Sequence, residues 1–145
     1  MPRPLPLTRD DFRLFREIPT RWMDVDIYGH VNNVEYLSYF DTAVNGWLIE
    51  EGVLDPRASE TVFLVVETQC AYFSELTFPG TVQAGIRVER LGGSSVTYEI
   101  ALFAGEETRA SAQGRFVHVQ VDQSTRRPTP IDGVRRELLR SITEK

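Results

Sequence analysis

Cysteine occurs once in this 145-residue chain, at Cys70, so no internal disulfide can form and no cysteine cluster exists for zinc. Histidine occurs twice, at His30 and His118. No uninterrupted apolar run exceeds the five residues of 62–66, whereas a membrane-spanning helix needs about 20. There is no basic surplus either. Lys+Arg number 16 against 21 Asp+Glu, a net charge of −5, and nucleic-acid binders usually carry the opposite balance. No internal repeat or low-complexity tract interrupts the chain. Its first residues place Pro2, Pro4 and Pro6 before Thr8-Arg9-Asp10-Asp11, without the apolar stretch of a signal peptide. These absences argue against a disulfide scaffold, a spanning protein and a nucleic-acid partner. The expectation is a cytoplasmic protein with neither a nucleic-acid nor a membrane partner.

What is present is an ordinary globular balance, 41% hydrophobic and 26% charged. One domain is expected over 1–145, with 1–12 as a flexible leader and 131–145 as a short C-terminal helix or tail. Residues 14–21 alternate loosely, as a first strand would. From Val34, apolar residues recur at steps of three and four through Leu37, Phe40, Val44, Trp47 and Leu48, which predicts a helix of about five turns. Asn32 is placed to cap it, Glu35 to complete a capping box, and Gly52 to end it. Strand character then fills 61–73, 81–91, 94–104 and 108–121, punctuated by Phe78-Pro79-Gly80, Gly92-Gly93 and Gly105-Glu106-Glu107. In the last of these strands Val117, Val119 and Val121 are expected to face inward and His118 to be a surface or interface residue. Short turns between successive strands predict antiparallel pairing. The fold class is α+β: one long central helix wrapped by a five-stranded antiparallel sheet.

The residues richest in chemistry precede that helix: Asp24-Val25-Asp26-Ile27-Tyr28-Gly29-His30-Val31-Asn32-Asn33. A helix start offers unpaired N–H groups and a positive dipole end, which can hold an anion or a developing oxyanion. A carboxylate a few residues upstream can then attack, or activate water against, an electrophilic carbonyl held there. Gly29 lets the backbone turn without a side chain in the way. Asp, Gly and Asn before a helix also serve as plain turn and cap residues. A metal site built on Asp24, Asp26 and His30 would have only His118 as a further imidazole, so no metal is expected.

This run, with Tyr36 and Tyr39-Phe40 after it, resembles the signature of the 4-hydroxybenzoyl-CoA thioesterase family of hotdog-fold acyl-CoA thioesterases. Weaker features accompany it: Tyr72, the Phe78-Pro79-Gly80 turn, Gly92 with Ser94-Ser95, and His118-Val119. Gly80 and Glu75 depart from the family's usual residues, which bears on substrate preference. The resemblance implies the hotdog fold and hydrolysis of an acyl-CoA without a cofactor. It implies Asp26 as nucleophile or general base, and Asn33 as the position whose backbone N–H holds the thioester oxygen. Tyr28, Gly29 and His30 are the further substrate-binding positions of the motif, and Asp24 is expected to organise the loop. The resemblance also implies a homodimer, or a homotetramer, with sites at the subunit interface. The alternative is a module that binds or senses acyl-CoA without turnover.

Other residues are less specific. Tyr36, Tyr39, Phe40 and Trp47 at helical spacing suit the core more than an acyl pocket. Cys70 reads as a small buried apolar residue. Arg126-Arg127 offer guanidinium groups to phosphate, or simply a solvated patch. Ser94-Ser95 leave room for a pantetheine arm or serve a tight hairpin.

Overall fold

The computed structural model describes residues 3–143. Five strands, β1 (Leu14–Pro19), β2 (Thr61–Tyr72), β3 (Thr81–Leu91), β4 (Ser95–Ala104) and β5 (Ala112–Asp122), form one sheet in the order β1-β3-β4-β5-β2. Every pairing is antiparallel. The long helix α1 (Asn33–Glu50) joins β1 to β2, and a short helix α2 (Gly133–Ser141) follows β5. This is the hotdog architecture, one long helix against a five-stranded antiparallel sheet.

The strand order refines the expectation of successive hairpins. Only β3–β4 and β4–β5 are hairpins; β2 pairs with β5, and residues 73–80 carry the chain across to β3. The edge strands β1 and β2 are therefore linked by the helix itself.

The buried face of α1 is Tyr36, Tyr39, Phe40, Ala43, Val44, Trp47 and Leu48, a run of three- and four-residue steps. Val34 and Leu37 lie off that face and are exposed; the aromatic Tyr36 and Tyr39 occupy the inward positions instead. Against this face pack Val82, Ala84, Ile86 and Val88 of β3 and Val96, Tyr98, Ile100 and Leu102 of β4. Asn32 caps the helix by accepting from the Val34 N–H at 3.1 Å. At the other end the Val53 N–H donates to the Leu48 carbonyl (3.1 Å) and the Gly52 N–H to Ile49 (3.0 Å), with Gly52 at φ 76°. That pattern closes a helix through a left-handed residue, as the position of glycine here foretold.

Two expectations are corrected. Residues 3–12 are not a loose leader. Gln113 accepts from the Leu7 N–H (2.6 Å) and donates to the Leu5 carbonyl (3.0 Å), while Phe12 is buried with Ala101, Phe103 and Ala110 on the sheet face away from α1. On β5 the inward residues are Phe116, His118 and Gln120, with Val117 and Val119 only half-buried; of the three valines only Val121 is buried. A one-residue change of phase exchanges the two faces of a strand, and Phe116 takes the inward side. His118 is consequently 1% exposed, stacked on Phe63 and flanked by Tyr98 and Phe116, with neither ring nitrogen hydrogen-bonded among the described residues. Helix α2 and the residue that follows it dock through Leu139 and Ile142, while Val134 faces outward. None of the helices of the described residues is long and apolar enough to cross a membrane.

Candidate active site

The segment between β1 and α1 is pinned by a buried carboxylate. Asp24 has no solvent exposure. It accepts hydrogen bonds from the Arg21 backbone N–H (2.9 Å), from Arg21 Nε (3.0 Å) and Nη2 (2.9 Å), and from the Tyr39 hydroxyl (2.7 Å). Burial by itself pushes the Asp24 pKa up. The bonds from Arg21 and Tyr39 outweigh it and hold the carboxyl below its ordinary value. The Asp24 carbonyl accepts from the Asn32 N–H (2.8 Å), and the Val31 N–H donates to Leu76 (2.9 Å). The loop is thereby tied both to its own start and to the β2–β3 connection.

Within it, residues 25–31 fold back on themselves. Val25 and Val31 pair, the Asp26 N–H donates to the His30 carbonyl (3.0 Å), and the Gly29 N–H donates to the Asp26 carbonyl (3.1 Å). Gly29 sits at φ 84°, a conformation costly for residues with a side chain. One oxygen of Asp26, Oδ1, accepts from the Tyr28 N–H at 2.8 Å. Its Oδ2 has no hydrogen bond among the described residues. At the helix start the Val34 and Glu35 N–H groups are taken by Asn32. The Asn33 N–H, at the first helical position, is left without a partner among the described residues. The reciprocal half of the expected capping box is absent, because the Glu35 carboxylate turns to Arg21 at 3.6 Å.

Asp26, Tyr28, His30 and Asn33 all line one cavity of about 450 Å³, with Tyr36, Tyr72 and residues 73–75 completing it. Gly29 shapes the turn but is not part of the wall. Three contacts here had no local signature in the sequence. The His30 Nε2 lies 2.9 Å from a Glu75 carboxylate oxygen. The Tyr72 hydroxyl donates to the Asn33 carbonyl at 3.0 Å, and the Tyr36 hydroxyl accepts from the Leu76 N–H at 3.1 Å. Burial pushes the Tyr72 phenol up to about 12, so it stays a donor at neutral pH. Tyr36 belongs to the core, as its spacing suggested, and also reaches the cavity. The polar tip of a buried tyrosine does what the spacing alone does not reveal.

The sequence profile of the Thioesterase-like superfamily matches residues 20–139. The chain belongs to that superfamily. Among solved structures, this thioesterase-like protein is similar to the PA5185 protein of Pseudomonas aeruginosa strain PAO1, with 47% identity, a TM-score of 0.94, and 97% of this chain and 98% of that one covered. It is similar to the PA2801 protein of Pseudomonas aeruginosa, described as a candidate thioesterase, at 29% identity and a TM-score of 0.77 over 88% of this chain and 95% of that one. A thioesterase from Thermus thermophilus, solved with coenzyme A and Zn, gives 28% identity and a TM-score of 0.73 over 92% and 96%.

Two groups flagged in the sequence of this superfamily member lie away from the cavity. Arg126 and Arg127 sit in the turn after β5, where the Gln123 N–H donates to the Glu60 carbonyl (2.8 Å), beside the Thr61 end of β2. The cavity is at the opposite, Tyr72 end of that strand. Ser94 and Ser95 belong to the β3–β4 hairpin and bond to Gln120 and Gly92. Cys70 is half-buried and packs against the core, and burial pushes its thiol pKa up. Among the described residues no group of three or more His, Cys, Asp or Glu side chains is arranged to hold a metal.

Proposed function

We propose that this protein hydrolyses acyl-CoA thioesters to a free carboxylic acid and CoA-SH. The observation that carries the reading is the placement of an unengaged Asp26 oxygen and an unpartnered Asn33 N–H in the wall of one cavity. The thioester carbonyl oxygen accepts from the Asn33 N–H at the positive end of α1. Asp26 attacks the carbonyl carbon, or takes a proton from a water that does so. The C–S bond then breaks and the thiolate departs, protonated by solvent or, on the general-base route, by the Asp26 carboxyl; on the nucleophilic route water then hydrolyses the acyl–Asp26 anhydride, releasing the acid and restoring the carboxylate. A thiol has a pKa near ~8.5, so its departure needs little acid assistance. One oxyanion donor contributes on the order of 2.7–4 kcal/mol to such a reaction.

Two features support this reading beyond the site. The superfamily match covers the loop and the helix that build the cavity, and a similar thioesterase is known with coenzyme A bound. The reading extends to a homodimer, or a pair of such dimers, built on the β2 edge. That strand is unpaired on one side and carries exposed Leu64, Val65 and Val66, an edge that isolated proteins usually cover.

The test is thiol release from a panel of acyl-CoAs by wild type and Asp26→Asn. Loss of a positioned base or nucleophile predicts a fall of about 10²–10⁴ in kcat, with the variant still folded and still binding CoA. Near-normal turnover by the variant removes Asp26 from the mechanism. A wild type that binds acyl-CoA but releases no thiol is a binding module instead.

A further inference from the structure

A second cavity, of about 480 Å³, adjoins the first. Phe73, Ser74 and Glu75 are common to both, so this short segment of the β2–β3 connection is a shared wall. The far side of the second cavity is the β4–β5 turn, including Arg109. That turn is held in place by the N-terminal segment. The Arg9 N–H donates to the Thr108 carbonyl (3.2 Å), the Ala110 N–H to the Leu7 carbonyl (2.9 Å), and Thr8 pairs with Arg109.

On this pinned backbone the Arg109 side chain is exposed and has no hydrogen bond or ion pair among the described residues. It contrasts with the arginines nearby. Arg9 is bonded to Glu107, Gln83 and Gly105, and Arg3 to the Tyr72 carbonyl with its guanidinium over the Phe73 ring. Arg109 is the arginine that lines this cavity. Two carboxylates share the rim. Glu75 is engaged by His30. Glu107 remains and weakens the rim as a general anion trap, so an anion binds well here only when the rest of its molecule is anchored next door.

We propose that Arg109 binds a phosphate group of the CoA moiety, the pantetheine arm running from the first cavity over Phe73 and Ser74 into the second. This rests on the thioesterase reading above. With the thioester carbonyl at the Asn33 N–H, the sulfur arm must leave the first cavity, and the second opens directly beside it. A guanidinium matches phosphate in geometry as well as charge. The placement also separates CoA from a bare pantetheine thioester, because only the former carries the anionic handle.

The experiment compares kcat/KM for one acyl group carried on CoA, on 3′-dephospho-CoA and on pantetheine, in wild type and Arg109→Ala. Losing one charge-assisted contact at an exposed site predicts a fall of about tenfold for the CoA thioester, expressed in KM. The preference for CoA over pantetheine shrinks by the same factor. Added salt weakens the wild type more than the variant, since screening acts on that contact. A fall for CoA alone assigns the 3′-phosphate; a fall for CoA and dephospho-CoA assigns the pyrophosphate; either supports the proposal. An equal fall for all three thioesters, or no fall for any, overturns it while leaving the hydrolytic reading standing. If the wild type hydrolyses none of them, the earlier reading fails, and calorimetric titration with CoA still decides this one. Tenfold weaker binding by Arg109→Ala upholds it, and equal binding refutes it.

Discussion

His118 makes the fold sensitive to acid in a calculable way. The imidazole is 1% exposed, packed among Phe63, Tyr98 and Phe116, with both nitrogens unbonded among the described residues. Burial pushes its pKa down from 6.5 to about 4. In the unfolded chain the ring takes up a proton as pH drops through 6.5; in the folded chain it stays neutral until about 4. Stability is therefore full above pH 6.5 and is lost progressively down to about 4. At about 1.4 kcal/mol per pH unit, the loss from this one residue is roughly 3 kcal/mol. The comparison that isolates it is urea unfolding of wild type and His118→Phe at about pH 7.5 and about pH 4, either side of that window. Phe keeps an aromatic ring in the stack and removes two buried nitrogens without partners, so it is neutral or stabilising at the higher pH. Acid-sensitive carboxylates such as Asp24 act in both proteins and cancel. The wild type should lose about 3 kcal/mol more than the variant on acidification. Equal losses in the two proteins would show that the ring does not remain neutral in the folded state, and the argument from burial would fail.

Two further outcomes are expected. Tyr72→Phe removes the donor to the Asn33 carbonyl, a bond worth about 1 kcal/mol net, and should lower Tm by only a few degrees while cutting kcat severalfold well below that Tm; a Tm shift with kcat unchanged would indicate a structural role only. The exposed Leu64-Val65-Val66 edge of β2 predicts a dimer or larger assembly by light scattering at micromolar concentration, and a charged substitution at Val65 should shift it toward monomer, whereas a wild-type monomer would contradict the assembly proposed for that edge.

The parts of this structure governed by neighbouring residues could be read directly. Asn32 and Gly52 mark the helix ends because a cap and a left-handed residue are local requirements, and the Gly92-Gly93 pair, Gly105 and the Pro79-Gly80 turn mark strand ends for the same reason. The inward face of β5 could not be read so simply. Val117 and Val119 look like core residues, but Phe116, His118 and Gln120 occupy the inside. Gln120 is tolerated there because Arg135 donates to it and it donates to Thr129 and the Pro130 carbonyl, partners that only the folded chain supplies. The candidate site divides likewise. Asp26, Tyr28, His30 and Asn33 are close in sequence and meet in one cavity. Glu75 and Tyr72 join them because β2 runs along the far edge of the sheet and delivers its end beside the start of the helix, a consequence of strand order that no local pattern encodes.

The double employment of Tyr36 has a practical corollary for anyone wishing to reshape what this protein accepts. Its ring is built into the interior while its hydroxyl braces Leu76, so a mutational library randomised there would fill with misfolded clones. Tyr28 and Ser74 border the same chamber without that obligation. Natural drift and laboratory selection alike have latitude at such border residues, around an anchor that must stay as it is.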